Sequence, residues 1–299
     1  MTRTSKSPKA VALVAYATAK HALPLYAHEK SPKKFTQPQL IACLVLKEFF
    51  TTDYRGIREI LIDSSDLRTV LELKEVPHFT TLQKAAHRLT RKGPLKKLMD
   101  ESVIAAIATK TMRPKVALSA IDSTGFESHH VSSYFVRRKE KGGDRLQGMT
   151  YTRFPKAGIV ADCRSYMVLA VLPSWGPSPD ILHWKTALRE AIKRITLRTI
   201  VADAGYDSEE AHRFAREDLG LTSIIPNRAG RPTTKLPSGK YRRVMATRFN
   251  KALYGQRWQI ETINSVIKRR LGSFLRARSY ITQMREMGLR WFAYNMLVI

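Results

Sequence analysis

Val-Ala-Leu-Ser-Ala-Ile-Asp-Ser-Thr-Gly, residues 116–125, is a short apolar run that ends on a polar tip. Pro114 stands before it and Gly125 closes it, so its length and flanks predict a buried strand from Val116 to Asp122. On the N-terminal side the pattern is helical. Gln37–Phe50 is rich in Leu, Ile and Val, Asp53 can cap a helix through Ile62, and Ser64 or Ser65 one through Leu73. Leu82, Ala85, Ala86 and Leu89 recur at helical spacing, and Pro94 suits the first turn of a helix running towards Met112. On the C-terminal side, Ser132–Arg137, Ala157–Asp162 and Tyr166–Leu172 read as strands, followed by a turn over Pro173–Pro179 and a helix over Ile181–Ile195. Arg198–Ala202 is a strand, Ser208–Asp218 a helix and Leu221–Pro226 a strand. A loop over Asn227–Gly239 leads to one long basic helix, and a last helix covers Thr282–Val298. An all-α region, 1–113, is thus followed by an α/β region with a mixed sheet, 114–299.

Two acids end apolar strands: Asp122, and Asp203 in Val-Ala-Asp-Ala-Gly-Tyr-Asp. A carboxylate just beyond a buried strand is held rigidly while facing a cleft. Glu261 is the only acidic residue between Asp218 and Glu286, in a stretch dense in Lys and Arg. Tyr254, Arg257, Glu261 and Lys268 are spaced to share one helix face, beside an apolar stripe of Ile260, Ile263, Ile267 and Leu271. Three oxygen ligands, Asp122, Asp203 and Glu261, suit Mg²⁺, which binds a few carboxylates and fills its shell with water and substrate phosphate. Two such ions close together serve phosphodiester chemistry.

Composition supports a polyanionic partner. The 299 residues hold 52 Lys plus Arg against 25 Asp plus Glu, a net charge of +27. Such a field is a nucleic-acid signature, and 43% hydrophobic residues over this length exceed what a small basic binder carries. Cys43 and Cys163 lack ligand spacing and read as reduced core thiols of a cytoplasmic, nucleoid-associated protein. Arg3, Lys6 and Lys9 before Ala10–Ala19 resemble a signal peptide's charged region, but the apolar core is too weak for one. No run reaches the roughly 18 apolar residues of a membrane helix.

Asp122, then Asp203 in D-x-G-Y-D, then Glu261 within Y-x2-R-x3-E-x6-K resembles the DDE transposases of prokaryotic insertion sequences. Tyr254, Arg257, Glu261 and Lys268 match that last signature at every position. The resemblance covers 114–299, and less specifically 36–113 through Val76–Leu89. It implies an RNase H-like catalytic domain after a helical DNA-binding domain. It further implies cleavage at the ends of a mobile element and joining of the 3′-hydroxyl to target DNA, with two Mg²⁺ ions, replaceable by Mn²⁺. Asp122 would bridge both ions, Asp203 and Glu261 would complete one each, and Tyr254, Arg257 and Lys268 would contact DNA. A homodimer on DNA is compatible with this. The rival expectations are an inactive transposase acting as a DNA-binding regulator, and a structure-specific RNase H-like nuclease that cuts without joining.

Other candidates read more plainly. Asp162 and Asp180 suit turns, Asp207 suits a helix cap, and Glu127 could support the acids from behind. His129 and His130 are loop residues near DNA at best, and Tyr134 with Arg137 and Arg138 a solvated hairpin. Trp258 and Trp291 fit core positions.

Overall fold

The computed structural model describes residues 4–128, 153–228 and 235–299. The expected strand Ser132–Arg137 and residues His129, His130, Tyr134, Arg137 and Arg138 lie outside them.

The N-terminal region is helical throughout: α1 (Pro8–Ala22), α2 (Gln37–Phe49), α3 (Tyr54–Asp63), α4 (Ser65–Val70), α5 (Phe79–Leu89) and α6 (Lys92–Ala108). Local chemistry sets their starts. The Thr36 hydroxyl accepts from Gln39 N while the Gln39 side chain returns to Thr36 N, a closed capping box. Asp53 caps α3 as the sequence predicts. Ala10–Ala19 belongs to α1, whose Val11, Ala12, Ala15 and Ala19 are fully buried against α2. No helix among the described residues is long and apolar enough to cross a membrane.

After Pro114 the chain forms β1 (Lys115–Val116), β2 (Ser119–Gly125), β3 (Phe154–Asp162) and β4 (Val168–Gly176). Then come α7 (Trp184–Arg194), β5 (Thr196–Leu197), β6 (Thr199–Val201), α8 (Glu209–Arg213) and β7 (Thr222–Ile224). The main sheet has the order β4-β3-β2-β6-β7, and β1 pairs separately with β5. Strands β2, β3 and β4 run antiparallel, while β6 and β7 lie parallel to β2 and to each other. This is the RNase H-like mixed sheet expected.

Two strands outrun their predicted ends. β2 continues through Gly125, because its ladder with β3 extends to Gly125↔Lys156, so Asp122 lies within a strand rather than at its tip. β4 runs on through Pro173 to Gly176 rather than turning. It is the edge strand, where a proline that lacks an N–H costs no ladder bond on its free side.

The expected single basic helix is three: α9 (Lys240–Thr247), α10 (Lys251–Gly255) and α11 (Trp258–Leu271). Between α10 and α11 the backbone tightens. Gln256, Arg257, Gln259 and Ile260 N–H groups each bond three residues back, to Leu253, Tyr254, Gln256 and Arg257 carbonyls. Tyr254 therefore sits on α10, Arg257 caps the start of α11, and the four signature residues do not share one continuous helix face. The apolar stripe holds: Ile260, Ile263, Ile267 and Leu271 are buried. The final helix α12 (Tyr280–Val298) opens with a capping box at Ser279 and Thr282. It packs on β4 as well as on α1, α2 and α6, so one hydrophobic core runs across residue 113. Cys43 and Cys163 are buried and unpaired, and burial pushes each thiol up to about 12.

Candidate active site

Strand register places two of the three acids. Ala120 pairs with Val201 across the parallel β2–β6 ladder. Asp122 lies two residues further along β2 and Asp203 two residues beyond the end of β6, and the two are close enough that Asp203 raises the Asp122 carboxyl. Asp203 Oδ1 accepts from Gly205 N at 2.8 Å, fixing the acid where the chain turns off the strand. A Cβ at Gly205 would sit 3.0 Å from that oxygen, so the glycine permits the turn.

The Asp122 carboxyl is pushed up to about 6, first by burial. The Ser123 backbone N–H and Arg257 oppose the shift, while Asp203 and Asp180 add to it. Helix α11 packs on β2 and contributes Asn264, whose Nδ2 donates to Asp122 Oδ2 at 3.0 Å. Ser123 points to the opposite face. Its hydroxyl lies 3.4 Å from the Tyr206 hydroxyl and 3.5 Å from His183 Nδ1.

Glu261 is not drawn in with the two aspartates. Its side chain is 54% exposed and ion-paired to Arg257, four residues before it on the same helix. Arg257, 22% exposed, also feels Asp122, so it stands between the third acid and the first. Among the described residues no group of three or more His, Cys, Asp or Glu is assembled to hold a metal. The Arg257 guanidinium, four residues before Glu261, pairs with this exposed third acid and keeps it on the helix surface.

Tyr254 tilts against Phe249 with ring centroids 5.0 Å apart. Lys268 is half-buried towards the end of α11 and has no ion-pair partner among the described residues. Trp258 is 51% exposed on the face of α11 that carries Glu261, which corrects its core assignment; Trp291 is fully buried as expected. Asp162 is a turn residue, accepting from Arg164 N, Ser165 N and the Ser165 hydroxyl. Asp180 instead starts a 3₁₀ turn and pairs with Lys156. Asp207 is no cap: Ser208 caps α8, and the buried Asp207 carboxylate grips Arg242 of α9 through both oxygens. Glu127 is exposed, and its backbone bridges to Phe274.

Sequence reasoning missed Asn264 and the Asp207–Arg242 link. Asn264 carried one usable signal, its position three residues after Glu261 beside an apolar stripe, where a polar residue needs a partner.

No curated protein matches the chain significantly. The transposase DDE domain family matches residues 115–296, a span that holds β2, β6, α11 and all three acids. The chain belongs to the transposase DDE domain family.

Proposed function

We propose that this transposase binds the ends of its mobile element, cleaves phosphodiester bonds there and joins the freed 3′-hydroxyl to target DNA. Asp122, Asp203 and Glu261 are its catalytic acids. The observation that carries the reading is the pairing of β2 with β6, which brings Asp122 on β2 near Asp203 just beyond β6, with Glu261 on the helix packed against β2.

The donor set fits hard divalent cations. Two facing carboxylates, one of them mostly buried and raised towards neutrality, gain most from a nearby 2+ charge. A buried amide oxygen beside Asp122, Asn264 Oδ1, has no hydrogen-bond partner among the described residues. Asp122, Asp203 and Glu261 would hold Mg²⁺ or Mn²⁺, which supply activation of the attacking oxygen and charge stabilisation at the leaving one.

Glu261 must leave Arg257 to join such a set. The cost is small, since exposed i,i+4 ion pairs are worth about 0.3–0.5 kcal/mol. Arg257 is then free for DNA phosphate, with Lys268 further along α11 and Tyr254 beside the terminal nucleotides. Residues 1–113 recognise the element ends, and phosphate contacts from the rest of this +27 chain add sequence-independent affinity.

The test is cleavage and strand transfer on DNA carrying the inverted repeats that flank the gene, in Mg²⁺ and in Mn²⁺. Asp122→Asn, Asp203→Asn and Glu261→Gln each remove an anionic oxygen with little change in volume. Each is expected to abolish both steps while the protein stays folded and binds DNA. Near-normal cleavage by any one variant removes that residue from the catalytic set. Cutting without joining by the wild type would make the protein a nuclease.

A further inference from the structure

Asn264 is 9% exposed and sits in a helix face otherwise made of Ile260, Ile263, Ile267 and Leu271. Among the described residues its side chain makes one hydrogen bond, the donation to Asp122 Oδ2, and its Oδ1 is buried without a partner. Leaving a buried amide oxygen unsatisfied costs about 1–3 kcal/mol, which an aliphatic residue at the same place would avoid. Turning the amide over does not remove the cost. It would set Oδ1 against the carboxylate oxygen and lose the only bond the side chain makes. A half-satisfied asparagine that holds one catalytic acid has the form of a group awaiting a donor.

We propose that Asn264 is a positioning residue of the active site: its amide N–H fixes the Asp122 carboxylate, and its Oδ1 accepts a hydrogen bond from water bound to a divalent cation on that carboxylate. The proposal rests on the reading of Asp122 as a cation ligand. Its physical basis is general. Partners that orient a ligating carboxylate typically change metal affinity by about 10–100-fold. Asn264 also shares α11 with Glu261, three residues before it, so one rigid element carries both the third acid and the group that aims the first.

The experiment is a Mn²⁺ titration of the full chain without DNA, followed by calorimetry or by the resonance signal of free Mn²⁺. It compares wild type, Asn264→Ala, Asn264→Leu and Asp122→Asn, with melting temperatures measured in chelator. Both Asn264 variants are expected to weaken Mn²⁺ binding about tenfold. The Mn²⁺ concentration for half-maximal cleavage of element-end DNA should rise by the same factor. Asn264→Leu, which fills the space and removes the orphaned oxygen, should melt no lower than wild type. If Asp122→Asn loses Mn²⁺ but both Asn264 variants bind it as wild type does, the positioning role is overturned. A lowered melting temperature with unchanged Mn²⁺ affinity also overturns it and leaves Asn264 as packing. If Asp122→Asn binds Mn²⁺ normally, the failure belongs to the cation reading of Asp122 itself.

Discussion

Arg257 stands between two carboxylates, ion-paired to Glu261 and acting at longer range on Asp122. On DNA it is expected to hold a phosphate. Arg257→Ala should make the log-log salt slope of DNA binding shallower by about one, close to the ~0.9 expected per phosphate. It should barely change the melting temperature, because the pair it breaks is an exposed one. Lys268→Ala should change the slope similarly and the melting temperature not at all. An unchanged slope with a lowered melting point would sink the phosphate assignment. Asp122 gives a second measurable sign. Its folded carboxyl sits at about 6 against an ordinary 3.8, so the fold binds that proton more tightly than the unfolded chain does. The favourable contribution is therefore complete below 3.8 and is lost as pH rises through about 6. Asp122→Asn in chelator should stabilise the protein at pH 8 by about 1–3 kcal/mol, with a smaller gain at pH 5. Equal stability at both pH values would contradict the burial argument. Asp122, Asp203 and Glu261 stand out in the sequence because an apolar run meeting an acid and a lone acid in a basic run are local patterns. Asn264 was not, since its partner lies far away in the sequence and meets it only when α11 docks on β2.

The segment after β6 shows how an element is held by residues outside it. Asp207 ends the D-x-G-Y-D turn, and its fully buried side chain takes Arg242 Nε and NH2 from α9 as well as the Arg228 N–H. Glu209 adds a cap, accepting from Tyr241 N and Arg242 N at 3.1 Å at the positive end of the same helix. The basic α9 is thus tied to the segment that follows Asp203. Asp207→Ala leaves Arg242 and a backbone N–H without their acceptor. Complete burial would make the loss about 3–5 kcal/mol, and the partial exposure of Arg242 lowers it to about 2 kcal/mol. The melting temperature should fall by several degrees, as thermal denaturation will show. No change would mean that Asp207 is solvated in solution. Periodicity predicts a helix across 240–271 correctly in content but not in continuity. The tightened turn before Trp258 depends on hydrogen bonds that hydrophobic spacing does not report.

Across the whole molecule the change of pattern at Pro114 divides the chain by secondary structure, while the core ignores it. The tie is partly ionic. Arg290 on α12 donates to Glu48 on α2 and to Glu286 on its own helix, and Lys47 closes on Glu48 from the other side. Burial alone would raise the Glu48 carboxyl, but Lys47 and Arg290 outweigh it and hold the group below its ordinary value. Its stabilisation is therefore present above about 4.5 and lost as pH falls through the lowered value. Arg290→Ala leaves a buried charge less than fully compensated and should cost about 3–5 kcal/mol. Arg290→Met combined with Lys47→Met and Glu48→Leu, which removes the three buried charges together, should recover most of it. Equal loss in the single and triple variants would mean that packing, not pairing, is at stake. Such long-range partners are invisible to local sequence reading, because each half looks complete by itself.

The docking of α12 on α1, α2 and α6 has a consequence in time. Synthesis delivers the chain from its first residue, so the opening helices leave the ribosome long before residues 280–298 exist to cover them. They pack on one another, but the part of their apolar surface that meets the last helix must wait for it. Nascent chains stalled before residue 280 should be cut readily by protease within α1 and α2, and chains carried past 298 should resist. The protein thus gains its DNA-handling shape late, after nearly every residue named above has been translated.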